Sequence, residues 1–453
     1  MSKRSEREKI QETLSQVHEA LEAGAKSKVR SLIDQLHPSE TADVLEALPP
    51  SERAVVWELV NPDLEGDVLS ECQDEVRAGL LGQMAPYEVA AATRDLDADD
   101  AADILQDLPE PLVDEVLLAM DEQNRQRLAS VLTYPEDTAG GLMNTDVVTV
   151  RGDVTLDVVS RYLRLRGAIP EKTDQLMVVD REGEYLGVLP LSEVLLRDPE
   201  ATVGDLIVQD IAGLPASLPA KDVAKLFEQR DLVSAAVVDE VGKLLGRITI
   251  DDVVDVIHEQ ADHSLMSLAG LGEEDDMFAP VVVSARRRAI WLGVNLATAF
   301  LAAWVISRFE ASIQQLVALA ILMPIVASMG GIAGVQTLTI AIRGIALGQL
   351  GAANARALML KELAVGLING LFWAMVVGGL AMLWFRDVGL GLIIGLAMVI
   401  NLLTAASAGA LIPLALKRLG IDPALAGGVL LTTVTDVVGF MAFLGLATIF
   451  LIS

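Results

Sequence analysis

Five long apolar segments, near 289–307, 316–342, 363–385, 389–416 and 424–452, fill the last third of this sequence. Each reaches the roughly 17–25 residues that a helix needs to cross a bilayer. In hydrocarbon every backbone N–H and C=O must find a partner inside the protein, so such segments are expected to be helices. The second, fourth and fifth exceed the usual span, which predicts tilt, a kink or an interfacial end. Pro324 and Pro413 mark the expected breaks. The charge divides at the same place. Residues 286–453 carry 10 Lys/Arg and 5 Asp/Glu, whereas residues 1–285 carry 24 and 58. The net charge of −29 therefore belongs to an acidic, polar region joined to an apolar one.

An acidic balance of that size argues against nucleic acid, whose binding needs basic surface. It suits cation binding or plain solubility. Cys72 is the only cysteine, which excludes an intrachain disulfide and a cysteine zinc cluster and fits a reducing compartment. The opening "MSKRSEREKIQETL" has no apolar core of the kind a cleaved leader needs, so the polar region is expected on the cytoplasmic side. Loop charges agree. Under that orientation the inner flanks hold Arg286, Arg287, Arg288, Arg343, Arg356, Lys361, Lys417 and Arg418, while the outer loops hold Arg308 and Arg386. The expected location is the cytoplasmic (inner) membrane, multi-pass, with the N-terminus cytoplasmic and the C-terminus outside. No nucleophile–base pair or phosphate loop is legible, so an enzyme is not expected.

Within "LTTVTDVVGFMAF" (431–443) stands one acid, Asp436, with no basic residue after Arg418. It lies 13 residues beyond Pro423, roughly 20 Å along a helix and so near the middle of a bilayer. A carboxylate there costs roughly 2.5–3.5 kcal/mol on insertion scales, so it is expected to face water, a counter-charge or an ion. Helical spacing puts Thr432, Thr433 and Gly439 on its face. Hydroxyls around one carboxylate suit a hard divalent cation that keeps much of its water, as magnesium does. Small residues recur in "SMGGIAGVQT", "GLING" and "GLIIG", for which close helix packing is the first explanation.

The polar region contains repeats. "LMVVDREGEYLGVLPLSEVL" (176–195) matches "AAVVDEVGKLLGRITIDDVV" (235–254) at an offset of 59, pairing Asp180 with Asp239, Gly183 with Gly242 and Gly187 with Gly246. Each copy reads strand, D-x-x-G turn, strand, helix, and each is preceded by a strand and an amphipathic helix. The first copy carries extra residues in "GAIPEKTDQ". This order resembles a tandem CBS pair. CBS pairs that hold ATP or another adenine nucleotide do so through a Thr/Ser and an Asp near the final helix, positions filled here by Thr249 and Asp252. Upstream, "HPSETADVLEALPPSER" (37–53) recurs as "LDADDAADILQDLPEPL" (96–112) at offset 60. Short amphipathic helices punctuated by "LP" predict a small helical superhelix, with a capping-box-like start at Ser39. The acidic runs "RDLDADDAAD" and "DDVVDVIHEQADHS" are ordinary solvated faces if separate, and could share cations if brought together.

The whole order is that of a multi-domain membrane protein: an α-helical superhelical N-domain (1–134), a tandem CBS (α/β) pair (135–258), a connecting (plug) helix (259–285) and a five-helix transmembrane domain (286–453). It resembles the MgtE family of magnesium channels, with local matches in "LMPIVASMGG", "KELAVGLINGLFWA", "NLLTAASAGALIPL" and "GIDPALA" followed by "TTVTDVVGF". The resemblance implies a homodimer in membrane lipid, with a pore lined mainly by the second and fifth spans. It puts the ion-selecting aspartate at Asp436. It also implies Mg²⁺ ions bound between the cytosolic domains, for which the candidates are Asp95, Asp97, Asp99, Asp251, Asp252, Asp255, Glu259 and Asp262. The expected function is Mg²⁺ import gated by intracellular Mg²⁺. The alternatives are transport of other divalent cations (Co²⁺, Mn²⁺) or a non-conducting membrane-tethered nucleotide or metal sensor. One departure stands out: Ile332 occupies the place of the family's asparagine in Gly-Gly-Asn-x-Gly.

Overall fold

The computed structural model describes residues 6–209, 212–271, 276–351 and 353–452. These fall into two compact units, divided after Asp262, with the segment ending at Pro280 returning to the first. The first unit opens with short helices: α1 (Glu6–Glu22), α2 (Lys26–Ile33), α3 (Pro38–Glu46), α4 (Pro50–Trp57), α5 (Glu65–Ser70), α6 (Asp74–Leu81), α7 (Pro86–Ala92), α8 (Ala98–Gln106), α9 (Glu110–Ala119) and α10 (Glu122–Val131). The offset-60 repeat is a repeat of helix starts. The residues before α3 and α8 are His37 and Asp97, and those before α4 and α9 are Pro49 and Pro109. The first capping box is centred two residues earlier than Ser39. Glu40 reaches back to the His37 N–H at 3.1 Å, and Pro38 takes the first helical position, where its missing N–H costs nothing. Two buried arginines close helix ends in this region. Arg53 donates to the Leu45 and Leu48 carbonyls that end α3, and Arg77 donates to the Cys72 carbonyl and the carboxylates of Asp74 and Asp107.

The CBS-like pair follows as two three-stranded sheets. The first copy contains β1 (Thr149–Arg151), α11 (Leu156–Arg166), β2 (Gln175–Val179), β3 (Tyr185–Pro190) and α12 (Leu191–Leu196); α13 (Val203–Leu206) leads out of it. The second contains β4 (Leu214–Pro215), α14 (Ala220–Arg230), β5 (Ser234–Val238), β6 (Leu244–Thr249) and α15 (Ile250–Leu268). In both, the first strand pairs parallel to the second and the second antiparallel to the third. The copies agree down to a bulge, which falls at Val178/Val179 and again at Val237/Val238. In each D-x-x-G turn the aspartate accepts two backbone N–H bonds, Asp180 from Glu182 and Glu184, Asp239 from Val241 and Lys243. Gly183 and Gly242 take φ near +87° and +86°, which explains the glycine. Met177, Val188 and Ala236 form a small core between the copies. The main core runs from the N-terminal helices through Ala139 and Met143 into Val223, Phe227, Val237 and Val253 of the second copy. The first copy has its own core around Leu156, Leu176 and Leu189.

The second unit is helical. It contains α16 (Val281–Ser307), α17 (Glu310–Gln315), α18 (Ala318–Ala346), α19 (Ala355–Phe385), α20 (Val388–Arg418) and α21 (Pro423–Ala447), the last ending in a π-turn. Five of these are long and apolar enough to cross a membrane. α16 and α19 begin about eight residues before their apolar runs, because a helix continues through polar residues once it leaves hydrocarbon. Neither proline breaks its helix: α18 runs through Pro324 and α20 through Pro413. α20 is central, packed against α18, α19 and α21. Glycines mark where backbones meet. A Cβ at Gly378 would stand 2.7 Å from the Gly391 carbonyl, and one at Gly409 2.8 Å from that of Gly334. Asn401, fully buried in α20, donates to the Val326 carbonyl of α18 at 2.8 Å. Its amide fills the space left by Gly330 and Gly439.

The turn geometry makes a direct prediction. Asp239→Ala removes two hydrogen bonds to a charged acceptor and should destabilise the first unit by about 1–3 kcal/mol in denaturant unfolding. Asp239→Asn, which keeps an acceptor oxygen in place, should recover most of that loss.

Candidate metal sites

The start of α8 carries three of four residues as aspartate: Asp97 before the helix, Asp99 and Asp100 in its first turn. One oxygen from each of these carboxylates lies within 4.8 Å of the others. The positive end of the helix tolerates this charge, but the second CBS copy adds more. Asp252 faces Asp99, and Asp251 and Asp255 face Asp100. Asp99 is only 6% exposed, and its Oδ1 meets no hydrogen-bond partner among the described residues. Burial first, and then the neighbouring Asp252, Asp100 and Asp97, push its carboxyl well above the usual range. The same causes push Asp100 to about 6 and Asp252 to about 7. Asp251 alone goes the other way. Burial opposes its charge, but ion pairing with Lys172 and a 2.5 Å hydrogen bond from the Thr249 hydroxyl outweigh it.

A second acidic group lies further along α15. Glu259 is pushed to about 7 by burial and by Asp74, Glu136, Asp255 and Asp137. Asp103, beside Glu136 and Glu259, is also raised. Of the residues expected from sequence, Asp97, Asp99, Asp251, Asp252 and Asp255 come together, and Glu259 joins the second group. Asp95 is exposed and lines a polar hollow with Arg94, Asp121 and Arg127, and Asp262 is exposed and belongs to neither group. Asp100 and Asp103 lie in the acidic run "RDLDADDAAD" but were not singled out from it, and Asp74 and Glu136 were not anticipated. Asp103 carried a signal, since it pairs with Asp43 in the repeat; Glu136 and Asp74 lie in stretches with no acidic run. Thr249 and Asp252 lie side by side but are already engaged: Asp252 accepts from the Thr249 N–H (2.9 Å), and the single Thr249 hydroxyl proton lies between Asp251 (2.5 Å) and Asp252 (3.1 Å). A nucleotide ribose would have to displace these bonds.

In the membrane unit Asp436 is half-buried, and among the described residues no donor or cation meets its carboxylate. Thr432 and Thr433, also half-buried, donate to carbonyls of their own helix at Gly428 and Val429. Their oxygen lone pairs stay available to a cation or its water. Gly439 does not share this face; it is buried against Asn401. Ile332 is 59% exposed on α18, away from the packed face that holds Gly330 and Gly334. A further acid of the second unit, Glu362 at the start of the apolar run of α19, is buried and accepts from Thr337 of α18 (3.0 Å) and Lys361 (2.7 Å). Its position beside Lys361 made it look like an ordinary flank charge.

Acidic clusters in the first unit, joined to a helical membrane unit with an unpaired carboxylate, define a cation-handling membrane protein. Family models agree: "Divalent cation transporter" (MgtE) matches residues 323–446, "MgtE intracellular N domain" residues 36–137, and the CBS domain residues 139–200 and 203–259. The magnesium transporter MgtE of Thermus thermophilus is 30% identical over 96% of this chain and 98% of its own. That of Bacillus subtilis is 28% identical over 93% of this chain and 94% of its own. Among solved structures, the cytosolic domain of the Mg²⁺ channel MgtE in complex with ATP is similar at 30% identity and a TM-score of 0.49, covering 54% of this chain and 99% of that one. The chain belongs to the MgtE family of magnesium transporters.

The raised carboxyls fix a pH dependence. A carboxylate whose folded value lies above its unfolded one stabilises the fold when protonated, and that stability is lost as pH rises through the folded value. Without Mg²⁺, the first unit should therefore become more resistant to heat as pH falls from about 8 to about 6, the window set by Asp100, Asp252 and Glu259. Saturating Mg²⁺, bound only by the ionised forms, should flatten this dependence. Thermal scans of the purified protein across pH, with Mg²⁺ and with chelator, measure it.

Proposed function

We propose that this protein is a homodimeric, Mg²⁺-selective channel that imports Mg²⁺ across the cytoplasmic membrane and is closed by Mg²⁺ bound to its acidic cytosolic groups. The observation that carries the pore is the half-buried Asp436 carboxylate without a protein counter-charge among the described residues, flanked by Thr432 and Thr433. A second subunit would supply a second Asp436. Two carboxylates around one hydrated divalent ion attract it without stripping its water, which lets the ion leave again. The exposed face of α18, with Ile332 and Gln336, is the natural other wall of such a path. An isoleucine there makes part of that wall apolar where the family has an amide.

Crowding of Asp97, Asp99, Asp100, Asp251, Asp252 and Asp255 supports the gate. The fit to a hard cation is good: the donors are carboxylate oxygens, those of Asp97, Asp99 and Asp100 lie within 4.8 Å of one another, which suits an ion retaining some water, and a buried Asp99 oxygen awaits a partner. When Mg²⁺ is scarce these carboxylates repel and the helical region is released from the second CBS copy; when it is abundant they are bridged. Thr249 and Asp252 are the candidates for an adenine nucleotide, and binding there would compete with this bridge. The inner-side placement of the cytosolic unit follows from the basic residues at the inner helix ends.

Uptake into proteoliposomes tests both parts. Asp436→Asn should lower Mg²⁺ flux at least tenfold, and flux equal to wild type would sink the pore assignment. Raising Mg²⁺ on the side of the cytosolic unit should reduce wild-type flux severalfold and leave the flux of an Asp97→Asn, Asp99→Asn, Asp252→Asn variant unaltered. If that variant still shuts down, the gate lies elsewhere. Co²⁺ and Mn²⁺ competing equally with Mg²⁺ would favour a general divalent transporter.

A further inference from the structure

The residues by which the first CBS-like copy exceeds the second, "GAIPEKTDQ" (167–175), include a lysine that enters the acidic group. Lys172 pairs with Asp251, and its ammonium also acts on Asp252, Asp97 and Asp100. Among the described residues no other Lys or Arg contacts that group. Three features aim it there. The buried Arg247 guanidinium, 4% exposed, donates to the carbonyls of Glu171 (2.6 Å) and Lys172 (3.4 Å) and to the Thr173 hydroxyl (3.2 Å). Asp174 accepts from Ser234 at 2.6 Å, tying the other end of the insertion to β5. Between these anchors Lys172 adopts φ +54°, a left-handed backbone that a side-chain-bearing residue rarely takes and that surrounding structure must hold. In the second copy the equivalent of Gln175 is Ser234, and no such loop precedes it.

We infer that Lys172 is a tethered counter-ion of the Mg²⁺ sensor, standing in for one divalent cation when Mg²⁺ is scarce and displaced from the carboxylates when Mg²⁺ binds. This rests on the sensor reading given above. The physical basis is charge count. Six aspartates (Asp97, Asp99, Asp100, Asp251, Asp252 and Asp255) crowd a space that two elements share, and one ammonium offsets part of their repulsion. A divalent ion offsets more and cannot occupy the same oxygens of Asp251 as the ammonium. Lys172 therefore lowers the contrast between the Mg²⁺-free and Mg²⁺-bound assemblies, setting how far Mg²⁺ can tighten the interface.

Amide hydrogen exchange of the α8 segment (Ala98–Gln106) in the full-length detergent-solubilised protein reads this contrast. With chelator, Lys172→Met should speed exchange roughly twofold to fivefold over wild type, the range for one partly exposed ion pair. With saturating Mg²⁺ it should match wild type, so the ratio of free to bound rates grows by the same factor. Lys172→Arg, which keeps the charge, should keep the wild-type ratio, and Lys172→Gln should behave as Met. An unchanged ratio in Lys172→Met, whether both rates stay put or both rise together, overturns the inference, since a purely structural lysine would act on both states. Wild-type exchange that ignores Mg²⁺ overturns the sensor reading and this inference with it; a Mg²⁺ response in wild type with an unmoved Met ratio overturns this inference alone.

Discussion

Carboxylates held close together away from water govern the first unit. Asp99, Asp100, Asp103, Asp252 and Glu259 all sit where burial and like charges raise the energy of their ionised forms. The apolar core that joins the N-terminal helices to the second CBS-like copy presses these groups together, and the charges push it apart. Protonation relieves that repulsion at Asp100, Asp252 and Glu259, and the Lys172 ammonium offsets part of it at Asp251; the proposed sensor would use Mg²⁺ in the same way.

The membrane unit solves a different problem. In lipid the helices gain nothing from burying apolar side chains against one another, so they associate through close backbone approach and a few polar contacts. α20 makes most of the approaches, at Gly391 and Gly409, and supplies the Asn401 amide that fits between Gly330 and Gly439. Thr337 and Glu362 add a hydrogen bond between α18 and α19. This packing leaves one side of α21 with Thr432, Thr433 and Asp436 only half-covered, the face that the proposed ion path would use.

Repeats and helix starts were legible because they depend on local chemistry. The offset of 59 carried the strands, the turn aspartates and even the bulge, and the offset of 60 carried the starts of α3 and α8, though the capping box of α3 sits at His37 rather than Ser39. The spans were legible from hydropathy, but their ends were not, because helices such as α19 continue past Lys361 and Arg356 where no lipid forbids charge. Prolines were poor guides, since α18 and α20 continue through them. Gly439 was assigned to the face of Asp436 by spacing alone; a neighbouring helix decided otherwise. Glu362, Asn401 and Lys172 could not be found from pattern, because each acquires its role from a partner distant in sequence.

The sequence by itself determined the division into an acidic region and five spans, the CBS-like repeat, and the isolation of Asp436, since each follows from composition and short-range spacing. Only the tertiary structure decided which acids crowd together, that Arg247 holds the insertion while Lys172 pairs with Asp251, and which faces of α18 and α21 stay open. Those outcomes depend on long-range packing and on electrostatic energies that fall with distance, and neither is written in any single stretch of chain.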